Sequence, residues 1–241
     1  PNSTGGGVSK ITVNTDVIAM VGARRRQFAS FQMVEVEDAV LKVCRLLGYF
    51  GDISILSDHF MELFRTQHGS KRKQAAIILG ELLRGASGYK VAVSSEANVL
   101  DSPFHHGNQH QYRQQVNTPD SVMAVAEVVV EEFLGDAILR LPTCHQEEPI
   151  AVSTVAVLTH NAQLVTVVLE AVGALADALQ DRFRELLMLV MYPMLHKLSS
   201  VTAVVAHASL SSMEKIAHAV GEKSVGSLIC DTSDYVINAI T

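Results

Sequence analysis

The chain has 241 residues, of which 48% are hydrophobic and 18% charged, and its formal net charge is −6. That composition excludes a disordered chain and leaves ample apolar material for a core. The modest acidity gives no general attraction to nucleic acid or to an anionic membrane, and no uninterrupted apolar run reaches the ~18 residues of a membrane span.

The three cysteines, Cys44, Cys144 and Cys230, are odd in number and far apart, without a CxxC pair. Neither a disulfide framework nor a zinc ribbon is indicated, and a reducing cytosolic or nuclear setting is expected. The chain begins without Met and ends on "DYVINAIT", inside an apolar pattern, which suggests a piece of a longer protein.

Residues 1–32 open with "PNSTGGG" and contain Arg24-Arg25-Arg26, and they read as a flexible linker or tail. From residue 33 onward the period is helical. Val36, Val40, Val43 and Leu47, widened by Leu46, predict one apolar helix face, ended by Gly48 and Gly51. A second helix is predicted from Ile53 to about Gln67, with Ile53, Leu56, Phe60, Leu63 and Phe64 facing the core. A third packs Ala75, Ile78, Leu79, Leu82 and Leu83 and stops at Gly85. Residues 88–117 are rich in His, Gln and Asn without a period, so a loop that packs on nothing is expected.

Thr118-Pro119-Asp120 is a helix start: a capping hydroxyl, a proline in the first turn and an acid at the positive end. Val122, Val125, Val129 and Phe133 form that helix's stripe. "LPTCHQEEP" is a polar break, and Ile150 to Leu158 suits a short strand or a buried turn. Three long stripes follow: Leu164, Val168, Ala171, Leu175, Leu179; then Phe183, Leu187, Val190, Met194, Leu198; then Ala206, Leu210, Met213, Ala217, Val220, closed by Gly221. A short helix around Leu228 and another from Asp234 complete the pattern. Short connections between such helices favour antiparallel neighbours, so the fold class is all-α.

Candidate chemistry is sparse. Asp52, Asp58, His59 and Glu62 lie close in sequence. On one helix, however, His59 and Glu62 supply at most two converging ligands, and Phe60, Leu63 and Phe64 take the core side. They read as a solvated rim. His105, His106 and His110 sit in the polar loop without a Cys or scaffolded carboxylate. Cys144-His145 with Glu147 and Glu148 are neighbours on a loop, whereas catalytic pairs converge from separate segments. "GGGVSK" lacks the spacing of a phosphate loop, and Met188, Met191, Met194 and Met213 read as adaptable core. No catalytic, cofactor-binding or metal residue is assigned. A small all-α enzyme using His59/Glu62 or the loop histidines stays open as an alternative.

Met191 to Gly221 carries a proline-bearing helix (Pro193, Leu195, Leu198), a polar turn, and a second helix with Val205, Ser209, Ser212, Met213 and Ile216. This layout resembles a HEAT repeat, although Ser199-Ser200 and Ala206 stand where those repeats usually have an Asp and an Arg. "VCRLLGYFGDISILSDHFMELF", "RKQAAIILGELLRGASG", "MYPMLHK" and "CDTSDYVINAI" together resemble the Tel-two-interacting protein one family, in that family's order, over roughly Gln27 to Thr241. The loop around 88–117 departs from it.

The resemblance implies a mid-chain segment of an α-solenoid of HEAT-like antiparallel helix pairs. It further implies a non-catalytic scaffold of the TTT co-chaperone complex, which supports the maturation of phosphatidylinositol-three-kinase-related kinases such as mTOR and the DNA-damage kinases. The implied partners are the other two TTT subunits, Tel-two and Tti-two, those kinases and the heat-shock chaperone machinery, in the cytoplasm and nucleus. A transport or phosphatase-scaffold solenoid is the alternative of the same class. The importin type is disfavoured, because its groove relies on tryptophan and the chain has none. As an inner piece of a stack, the chain is expected to use Tyr235, Val236, Ile237 and Ile240 to cover the next repeat.

Overall fold

The computed structural model describes residues 34–88, 116–147, 153–234 and Ile237, and among these every regular element is helical. In chain order they are α1 (Val34–Phe50), α2 (Ile53–Thr66), α3 (Ser70–Ala86), α4 (Pro119–Phe133), α5 (Asp136–Leu139), α6 (Val155–Leu179), α7 (Leu187–Leu198), α8 (Ala203–Ala219) and α9 (Val225–Asp231). Short 3₁₀ turns cover His145–Glu147 and Gln180–Leu186.

Local chemistry sets the boundaries. Asp52 caps α2 by accepting from the Ser54 N–H at 2.9 Å, and Thr118 caps α4 by accepting from Ser121 at 3.1 Å. Thr154 caps α6 and Ser224 caps α9 in the same way. Gln180, at φ 51, breaks α6 and turns the chain into the 3₁₀ segment. Gly221, at φ 80, ends α8, and the Glu222 N–H reaches back to the Ala217 carbonyl at 2.7 Å.

The helices form two layers. One is the row α1, α3, α6, α8, each packed on the next. The other holds α2, α4 and α7, each laid against the row. The pairs α2/α3 and α7/α8 are joined by only a few residues, so each is an antiparallel hairpin. This is an α-solenoid of HEAT-like pairs, as expected. One continuous apolar core runs through it, from Ile53 and Phe64 through Leu79, Val129, Phe133, Val168 and Leu175 to Met191, Met213 and Ile216. The stretch Val155–Leu198 is long and apolar enough to cross a membrane by length and composition, but 61% of its window is buried inside the stack. The core of a soluble helical protein passes the same test.

Small residues let the row close up. Gly48 faces the backbone carbonyl of Leu82, and Gly85 faces that of Arg45, so closely that a Cβ at either glycine would overlap the other helix. Gly48 and Gly85 are 37 positions apart, as are Arg45 and Leu82. The contact is therefore reciprocal between equivalent positions of two successive repeats. Gly48 lies inside α1, which ends at Phe50 just before Gly51, and α3 ends at Ala86, one residue past Gly85. Along the row, Gly80 meets Ala171, and Gly173 meets Ser212. The Ser212 hydroxyl donates to the Leu169 carbonyl at 2.8 Å.

Four expectations are corrected. The predicted apolar face of α1 is not in the core, because Val36, Val43, Leu46 and Leu47 are all exposed, Val43 by 54%. Instead α1 meets α3 through Cys44 and Gly48. On α8, Leu210 is exposed and Ala206 only half-buried, whereas Val205, Ser209, Ser212, Met213 and Ile216 are buried. The residues that carried the HEAT resemblance mark this face better than the stripe does, because two small serines replace bulk where α6 and α7 approach. Met188 is exposed while Met191, Met194 and Met213 are fully buried. Residues 155–158 start α6 and are not a strand.

Candidate functional site

The sequence candidates do not converge. Asp52 serves as a helix cap. Asp58, His59 and Glu62 are exposed on the outer side of α2, with the His59 ring edge-on to Phe60 at 5.3 Å. Beside them Arg65 bridges to Glu132 of α4 at 3.1 Å, and that hydrogen bond holds its guanidinium above the ordinary arginine range. His105, His106, His110, Glu148 and the "GGGVSK" stretch lie outside the described residues. Among the described residues no three His, Cys, Asp or Glu side chains gather in a way that could hold a metal ion.

His59→Ala, Glu62→Ala and the double variant are therefore expected to shift stability by less than about 0.5 kcal/mol. Thermal unfolding checks this, and a loss many times larger would contradict the rim placement.

Of Cys144, His145 and Glu147, it is Glu147 that the structure places in a joint between helices. The Glu147 carboxylate accepts from the Thr143 backbone N–H at 2.6 Å and from the Thr143 hydroxyl at 2.8 Å. The Thr143 hydroxyl also lies 2.7 Å from that of Thr202, in the α7–α8 turn. This ties the loop before α6 to the neighbouring repeat. Lys197 is buried beneath it, with only 5% of its surface exposed. Burial pushes its ammonium group below the ordinary lysine range, and the attraction of Glu147 opposes that shift.

The charged form of Lys197 is thus less favourable in the folded state than in the unfolded chain. The cost of its charge is present at neutral pH and fades as pH rises from the depressed folded value towards the ordinary 10.5. Lys197→Met should stabilise the chain at neutral pH by about 1 kcal/mol. The gap to the parent should narrow in urea unfolding as pH rises towards 10.5, the ordinary lysine value. A gap that stays constant or widens would contradict the assignment.

Two further polar clusters join helices, and sequence reasoning missed both. Glu81 of α3 is buried between Arg45 of α1, whose Nε lies at 2.8 Å, and Arg84, whose Nη1 lies at 2.6 Å. The adjacent Cys44 thiol is pushed up by burial and then by the Glu81 charge, which leaves it an unreactive core thiol. Asn117, only 4% exposed, has its Oδ1 accept from the Ile53 N–H, while its Nδ2 donates to the carbonyls of Gly48 and Gly51, each at 2.9 Å. It closes the turn between α1 and α2. The expectation that residues through 117 pack on nothing is corrected at this residue; residues 89–115 lie outside the described set.

The described site is thus a set of clamps that fix one repeat on the next, with exposed helix faces outside them. Residues 4–182 match the family described as "TELO2-interacting protein 1 homologue second TPR domain", and residues 191–241 match the family "TELO2-interacting protein 1". The chain belongs to the TELO2-interacting protein 1 family. It is 32% identical over 248 residues to the mouse TELO2-interacting protein 1 homolog and 30% identical over 233 residues to the human one. Each comparison covers 90% of this chain and 21% of the relative. The chain therefore spans about a fifth of the length of these family members.

Proposed function

We propose that this chain is a non-catalytic section of a scaffold subunit of the TTT co-chaperone complex. On this reading it supports the maturation and stability of phosphatidylinositol-three-kinase-related kinases, including mTOR and the DNA-damage kinases. It works in the cytoplasm and nucleus with Tel-two, Tti-two and the heat-shock chaperone machinery. The observation that carries the reading is membership of a family whose members are named for interaction with TELO2. The helical stack supports it, since stacked repeats offer long exposed faces for protein partners. The buried polar groups also serve helix-to-helix clamps.

The test places this segment in its full-length protein in cells depleted of the endogenous copy. Immunoprecipitation then measures Tel-two and Tti-two, and immunoblots measure kinase abundance. Internal deletion of residues 34–241 should lower kinase abundance and weaken recovery of at least one TTT subunit. Unchanged recovery and unchanged kinase levels, with the deleted protein well expressed, would overturn the proposal.

A further inference from the structure

The first turn of α6 is loosely held. Val155, Ala156 and Val157 are exposed, and Leu158 is the first buried residue of the helix. Two side chains just beyond it meet the start of α3. Gln163 accepts from the Lys73 ammonium at 2.5 Å. His160, three residues earlier, lies on the same side of the helix. A histidine and a lysine are thus brought together where α6 joins α3 and the α2–α3 turn.

His160 is half-buried as a residue, but its Nε2 is buried and makes no hydrogen bond among the described residues. A neutral imidazole tolerates an unused ring nitrogen better than an imidazolium, both of whose N–H groups need acceptors. The charges on the surrounding elements give it no counterion. Lys73 of α3 is positive, and Arg72 beside it turns onto the Phe64 ring, 4.8 Å from the centroid. His68 in the α2–α3 turn is exposed. Glu132 of α4 is held by Arg65, Asp136 of α5 by Arg140, and Glu147 in the loop before α6 serves Thr143. On α6 itself the first carboxylate is Glu170. Burial pushes His160 below the ordinary histidine range, the Lys73 charge pushes it further, and the Gly69 carbonyl offsets them only in part.

We propose that His160 is an acid-sensitive latch: when its imidazole takes up a proton, the first turns of α6 let go of α3 and of the α2–α3 turn. Protonation sets a second positive charge beside Lys73 in a partly buried joint. The loosely held end of α6 relieves it by moving, which frees Gln163 from Lys73 and uncovers Leu158 and Ala162. The helix beyond, buried at most positions from Leu164 to Ala176, stays in the core. The sign follows from the depressed folded value. The latch costs nothing above the ordinary 6.5 and progressively more as pH falls below it. None of this depends on the proposed function.

Hydrogen exchange and imidazole NMR on the whole chain test it. After correction for intrinsic exchange, opening of residues 158–163 should rise on the order of threefold between about pH 7.5 and about pH 5.5, while α8 changes little. His160→Gln should remove that rise and identifies the His160 imidazole signal by its loss. In the parent that signal should titrate below 6.5, and Lys73→Met should move its titration upward. The titration in the parent and in Lys73→Met carries the test should His160→Gln not fold. A His160 that titrates at or above 6.5 would overturn the proposal. So would a rise in opening that persists in His160→Gln, or an equal rise in every helix.

Discussion

Gly48→Ala and Gly85→Ala are each expected to destabilise the chain by about 2 kcal/mol. Alanine is the better helix former by ~1 kcal/mol, so propensity alone predicts the opposite sign. Packing wins because the new methyl meets backbone and not a flexible side chain. At Gly48 it overlaps the Leu82 carbonyl, and at Gly85 the Arg45 carbonyl. Relief requires the whole of α1 to move off α3, which would also pull Arg45 from Glu81. Gly80→Ala is the internal control. Its methyl would sit 3.4 Å from the Ala171 Cβ, a contact that a small shift accommodates. That variant should be neutral or slightly stabilising. Urea unfolding of the three variants decides the matter, and equal stabilities would refute the backbone contact.

Asn117→Ala should cost about 3 kcal/mol, because it strands three backbone groups at the α1–α2 turn, each worth ~1–3 kcal/mol when left unpaired. Two are carbonyls and one is the first N–H of α2. Asn117→Asp separates this from a volume effect. Aspartate keeps an acceptor for the Ile53 N–H but offers no donor to Gly48 and Gly51. It should therefore destabilise at least as much as alanine despite its matching shape. Thermal unfolding with both variants checks it. Rescue by aspartate would mean that the carbonyls are satisfied by water.

The contrast between Asn117 and its surroundings explains what could be read beforehand. Helices α2, α3, α4, α6 and α7 were legible because their apolar stripes and caps are local: Thr118, Pro119 and Asp120 specify a helix start wherever it packs. The α-solenoid class followed from those stripes, and the HEAT-like layout of Met191 to Gly221 picked out the buried face of α8. Asn117 carries no such signal, since its partners Gly48, Gly51 and Ile53 lie more than 60 residues away. The only trace of the reciprocal glycine contact in the sequence is the likeness of "RLLG" and "LLRG" across the 37-residue spacing.

By itself the sequence determined the starts of α2 and α4, most of the core positions and the family, because capping, amphipathic period and long shared strings are properties of neighbouring residues. Only the tertiary structure decided that the hydrophobic stripe of α1 points outward while a cysteine and a glycine face α3. Periodicity reports that a helix has an apolar side, whereas the side that meets a given neighbour is set by which backbones can approach. Here the approach is governed by Gly48 against Gly85, and the clamp of Glu81 between Arg45 and Arg84 locks it.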